Sequence, residues 1–135
     1  MKIRIKNLSC IILALLILVC MCSCSGGEEE KAKCSEQQYR YAKKCIEICD
    51  ACLDFDITYE EADDKFSAIE SSAIGIEADN YEFGSDEWSA GVKLISAESR
   101  LLSAFAKFIT NDSEAYDCML EARNLFAEAI GEEKR

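Results

Sequence analysis

Three cysteines stand close together in the first half of the chain, Cys45, Cys49 and Cys52, in a C-x3-C-x2-C run. At helical spacing they lie one turn apart on one side of a helix, and a fourth, Cys118, stands far along the chain. Three chemistries suit such a set. Free thiols fill a helical seam as small hydrophobes. A disulfide would join Cys49 or Cys52 to Cys118, because a bond between neighbours within one helix strains it. Thiolates of Cys45, Cys49, Cys52 and Cys118 would be soft ligands for Cu(I) or Zn(II). The spacing alone leaves all three open. Cys34, beside a charged stretch, is the thiol expected to be exposed.

Other residues offer less. The chain has no histidine, so the commonest general base, nucleophile activator and metal ligand is absent. Glu98 falls among Leu94, Ile95, Leu101 and Leu102, at the edge of a core. Such a carboxylate either moves protons or pairs with a base on a neighbouring helix, and no second catalytic group accompanies it. Asp54, Asp56, Glu60, Glu61, Asp63 and Asp64 crowd one turn without the residue order of an EF-hand; they read as caps and solubilising charge, with a divalent cation as the alternative. Tyr81, Phe83 and Trp88 make either an exposed aromatic patch for a peptide or glycan, or part of the core.

The elements that must position these groups are helices, since the chain has no proline and its apolar residues recur at three and four. The first helix is expected from about Ser35, its cap, to Phe55, with Tyr41, Cys45, Ile48, Cys52 and Phe55 facing inward. Thr58 and Glu61 form a capping box for the second, whose seam is Tyr59, Ala62, Phe66, Ile69, Ala73 and Ile76, ending near Gly75. Ser85 caps the third, with Trp88, Ile95, Leu102, Phe105 and Ile109 as its main stripe and Leu94, Leu101 and Phe108 beside it. Asn111 with Glu114 is expected to cap the fourth, which buries Ala115, Cys118, Met119, Ala122, Leu125, Phe126, Ala129 and Ile130 and stops at Gly131. Short breaks make antiparallel hairpins of the first and last pairs. The expected fold is all-α, an antiparallel up-down four-helix bundle over residues 35–135, with stacked helical pairs as the competing arrangement.

What precedes the bundle decides its location. Lys2, Arg4 and Lys6 come before an apolar run from Leu8, and Met21-Cys22-Ser23-Cys24 closes it before Ser25, Gly26 and Gly27. This is the three-part plan of an export signal. Its end resembles the lipobox of bacterial lipoproteins, in which a small residue precedes a cysteine that receives diacylglycerol. Ser23 and Cys24 match that pattern, while Met21 and Cys22 stand where Leu and a small residue are usual. The resemblance implies a signal peptide over 1–23, lipidation at Cys24, a tether over 24–34, and anchoring at the cell membrane on its extracytoplasmic side. An uncleaved membrane helix needs about 20 apolar residues, more than this run has. The cysteine spacing is also similar to that of the cysteine-lined four-helix bundles of bacterial copper-storage proteins, which implies a thiolate copper site, although those bundles carry cysteines on every helix.

Charge narrows the partners. The chain after Cys24 carries 12 Lys and Arg against 26 Asp and Glu, a formal charge of −14. That argues against nucleic acid and charge-driven adhesion to anionic lipid. The function expected is therefore a non-catalytic binding or structural role at the cell envelope. Its contacts would be the bilayer through the acylated N-terminus and an envelope protein or cationic partner, with no cofactor. The alternative is a small thiolate metal-binding bundle.

Overall fold

The computed structural model describes residues 33–70 and 75–135. The expected signal peptide, Cys24 and most of the tether lie outside the described residues, as does Ala73. Within them the fold is all-α: α1 (Glu36–Leu53), α2 (Tyr59–Glu70), a short 3-10 turn (Ala78–Asn80), α3 (Asp86–Ile109) and α4 (Ala115–Ile130). No described helix is long and apolar enough to cross a membrane.

The helix starts follow local chemistry. The Ser35 hydroxyl accepts from the Gln38 N–H at 3.1 Å while the Gln38 amide oxygen accepts from the Ser35 N–H at 2.9 Å, a reciprocal cap. Thr58 and Glu61 repeat it at 3.2 and 2.8 Å, and Ser85 accepts from the Trp88 N–H at 3.1 Å. The start of α4 departs from expectation. Asn111 takes a left-handed backbone, φ 54°, and it is the Asp112 carboxylate that accepts from the Glu114 N–H at 3.0 Å. Gly131, left-handed at φ 74°, closes α4.

Phe55 is not the last inward residue of α1. The helix stops at Leu53, and the N–H groups of Asp56 and Ile57 both turn back to the Ala51 carbonyl. The chain thus reverses one residue before the periodicity would bring Phe55 inward, and its ring is 82% exposed at φ 64°.

The core gathers Leu53, Phe66, Leu94, Leu101, Met119, Phe126 and Ile130 with the thiol seam of α1; each large side chain so buried contributes about 1.5–3 kcal/mol. α2 meets α3 through Phe66 on Phe105, with ring centroids 6.3 Å apart, and Tyr59 stacked on Phe108 at 4.5 Å. Arg123 pairs with Asp50 to tie α4 to α1, and Lys43 with Glu132 just past the end of α4, both at 3.0 Å. Between α3 and α4 runs a ladder of Lys93 to Glu128, Arg100 to Glu121 and Lys107 to Glu114. Its rungs advance seven residues along α3 as they retreat seven along α4, so these two helices run in opposite directions. Exposed pairs of this kind add little stability each. What a repeated ladder does is penalise every other register.

The face α3 buries differs from the expected stripe. Of Trp88, Ile95, Leu102, Phe105 and Ile109 only Phe105 is buried, while Ala90, Gly91, Leu94, Ala97, Leu101 and Ala104 turn inward. Large side chains dominate a periodicity count, but close helix packing is made here by alanines and a glycine, and these rotate the helix so that Ile95 and Leu102 face out.

Candidate functional site

Helix α1 holds Cys45, Cys49 and Cys52 on its inner face, where all are buried, and Cys118 is buried near the start of α4. The five described cysteines are free thiols. The charges that Cys52 and Cys118 would carry both act on the Tyr59 hydroxyl. Its pKa is pushed up to about 12, first by burial and then by the charge those thiols and Tyr116 would carry. Burial likewise pushes Cys45 up to about 12 against a small opposing hydrogen bond from Tyr41, Cys52 to about 11, and Cys49 well above 9.0. A cysteine nucleophile needs the opposite, a thiolate stabilised by nearby positive charge. Among the described residues no group of three or more His, Cys, Asp or Glu side chains is placed to hold a metal ion. On α1 Cys45, Cys49 and Cys52, with Cys118 from α4, belong to the buried core.

Cys34 is half-buried, and both burial and the nearby Glu87 carboxylate raise its pKa. The expected exposure is reduced because Cys34 packs against the edge of the core.

Glu98 meets a phenol: the Tyr41 hydroxyl, itself buried, donates to its carboxylate at 2.6 Å. Burial, the Cys45 thiol and Glu98 together raise the Tyr41 pKa, so the proton stays on the phenol. In the crowded turn Glu61 caps α2 and Asp54 pairs with Arg135. Of the aromatic trio, Phe83 is 83% exposed and leans on a half-buried Trp88 at 4.7 Å. Tyr81 is engaged, its hydroxyl 2.9 Å from both the Ser35 hydroxyl and the Gly75 carbonyl.

Two features were not anticipated from sequence. Gln38 is fully buried; its amide nitrogen donates to the Ile76 carbonyl at 3.0 Å and the Glu87 carbonyl at 2.8 Å, pinning the chain before the 3-10 turn and the first turn of α3 to the first turn of α1. Gly91 lies against that connection so closely that a Cβ there would sit 2.6 Å from the Ala78 nitrogen. The capping-box spacing of Ser35 and Gln38 was the available signal for the first. For the second, a lone glycine inside a strong helical pattern was the signal.

On the outside, two surfaces stay apolar. Ile48, Ala51, Ile57, Ala68 and Ile69 line an open groove of about 410 Å³ between α1 and α2, with Lys44, Glu47 and Lys65 at its edges. Along α3, Val92, Ile95, Leu102 and Ile109 are 41, 48, 50 and 75% exposed. Such surfaces suit contact with another molecule. No family model, curated protein or solved structure matches this chain.

Proposed function

We propose that the chain is a lipid-anchored protein of the cell envelope, exposed on the extracytoplasmic side of the membrane, that acts by binding or as a structural accessory without catalysis. The observation that carries this reading is Ser23-Cys24 directly behind a basic start and an apolar run. Diacylglycerol at Cys24 supplies two chains, the number that stable anchoring requires. The domain beyond the tether is read as an up-down antiparallel four-helix bundle. The opposed α3–α4 ladder, the Arg123–Asp50 pair across α1 and α4, and the Lys43–Glu132 pair just past the end of α4 support that arrangement. A binding role is supported by the placement of apolar surface on the outside of α3 and between α1 and α2, away from the protonated, packed thiols.

The test is Cys24→Ala in the full-length chain. It should move the protein from the detergent-extracted membrane fraction to the soluble fraction. Retention of the variant in the membrane at the wild-type level would contradict the anchor.

A further inference from the structure

The exposed face of α3 has a period of its own. Val92, Ile95, Ser99, Leu102, Ala106 and Ile109 follow one another at steps of three and four, and every one is exposed. This 3.5-residue repeat keeps one seam facing a partner helix in a left-handed supercoil. It is not the repeat that packs the domain, because Leu94, Ala97, Leu101 and Ala104 do that from the opposite side of the helix.

We propose that this seam pairs with the same seam of a second copy of the chain, antiparallel. Three properties of the face select that partner. Residue size alternates, with Ile95, Leu102 and Ile109 large and Val92, Ser99 and Ala106 smaller. Running the copies in opposite directions places Ile109 over Val92, Ile95 over Ala106 and Leu102 over Ser99, so each large side chain meets a smaller one and each copy supplies both halves of every pair. That is the self-complementarity of a two-fold interface.

The second property is charge. The chain after Cys24 has a formal charge of −14, from 12 basic and 26 acidic residues, yet the seam carries no carboxylate. On one side the neighbouring row is Ser89, Ser96, Ser103 and Thr110, followed by Lys93, Arg100 and Lys107, already bridged to α4; on the other lies one carboxylate, Glu98, which is turned to the Tyr41 hydroxyl. Two copies can therefore approach here without the repulsion they meet elsewhere, whereas a basic partner would be drawn to the carboxylate-rich surfaces instead.

The third is size. The 24 residues of α3 span about 36 Å, and a strip roughly 10 Å wide on each copy gives about 700 Å² in total, below the roughly 1,200 Å² of a stable soluble complex. Pairing is thus transient in dilute solution and grows when copies share a surface that raises their local concentration. In that respect it rests on the membrane anchoring proposed above.

The experiment places a photo-crosslinking amino acid at Ile95 or Leu102 of the full-length chain, or at the exposed Asp64 on α2 as an off-seam control. Two differently tagged copies are expressed together, and intact cells are illuminated. The expected result is a covalent product carrying both tags from the seam positions and not from Asp64. Ser99→Glu, at an exposed position that leaves the helical circular dichroism unchanged, should lower its yield about tenfold or more by facing an unpaired charge with Leu102. The inference is overturned by the absence of a two-tag product, by equal yield from Asp64, by a yield that Ser99→Glu does not change, or by a product in which another protein replaces the second copy. That last product would leave the binding role standing, whereas membrane retention of Cys24→Ala would remove the anchor while leaving any seam product in place.

Discussion

Replacing Gly91 with alanine should destabilise the domain, although the same change inside an exposed helix stabilises it by about 1 kcal/mol. The difference comes from what lies against the position. An added Cβ would stand 2.6 Å from the Ala78 nitrogen and 2.8 Å from its Cα, where such atoms rest at about 3.5–4.0 Å. The 3-10 turn must retreat by about an ångström to restore that contact distance. It carries Ala78, 5% exposed, and adjoins Ile76, whose carbonyl is held by Gln38 at 3.0 Å. Overpacking costs about 1–3 kcal/mol, and loosening one or two hydrogen bonds adds about 1 kcal/mol each. After the helical gain, the net loss is about 1–4 kcal/mol, a large share of the roughly 5–15 kcal/mol that holds a domain together. Urea denaturation followed by circular dichroism should show the midpoint falling by about 0.5–2 M, at about 2 kcal/mol per M. Gly84→Ala is the control: its backbone is left-handed at φ 82°, but nothing lies within 4 Å of the new methyl, so it should cost only about 1–2 kcal/mol of backbone strain. A Gly91→Ala protein as stable as the parent, or more so, would refute the close approach of the connection to α3.

Two further outcomes follow from the interior. Gln38→Leu keeps the volume but removes the partners of the Ser35 N–H and of the Ile76 and Glu87 carbonyls; it should lower stability by about 2–4 kcal/mol and speed proteolysis within 75–87, and an unchanged urea midpoint would show that the amide holds nothing. Stability should also fall in alkali. Cys45 and Cys52 are raised to about 12 and 11 from 9.0, and Tyr41 and Tyr59 are raised from 10.0, the latter to about 12. Folded-state values above the unfolded ones mean that the unfolded chain releases protons first as pH rises. The contribution is complete below about pH 8 and is lost above about pH 9, at up to about 1.4 kcal/mol per pH unit for each group. Urea midpoints measured from neutral pH upward check this, and a profile level through about pH 10.5 would mean that these groups are hydrated in the folded state.

The parts of the fold legible in the sequence are those set by local chemistry. Ser35, Thr58 with Glu61, and Ser85 cap helices because a side-chain oxygen three residues from a free N–H needs no tertiary help. Helix α4 buries Ala115, Cys118, Met119, Ala122, Phe126, Ala129 and Ile130 as its periodicity requires, with Leu125 only partly buried at the edge of that face. In α3 the larger residues do not all share a face with the small ones. Alanines at 90, 97 and 104 and Gly91 choose the packed side by allowing close approach, and the larger Ile95, Leu102 and Ile109 are left outside. A reading weighted by side-chain size places the stripe on the wrong side of that helix.

The cysteine run shows the same division. Its spacing correctly puts Cys45, Cys49 and Cys52 on the inner face of α1, because that depends only on helical geometry. Whether such thiols react depends on the charge around them, and their surroundings belong to other helices. Tyr41 and Glu98 are distant in sequence from each other but share one hydrogen bond. Gln38 was hidden for a similar reason: a glutamine near a helix start reads as surface, and only the folded connection from Ile76 to Glu87 supplies the carbonyls that let it be buried.

Mass spectrometry of the N-terminal peptide of the protein extracted from membranes decides whether Cys24 carries the anchor. The mature chain should begin at Cys24, with the mass of a diacylglyceryl group on that residue. A chain that keeps Met1, or one that begins elsewhere and carries no lipid, would contradict the anchor.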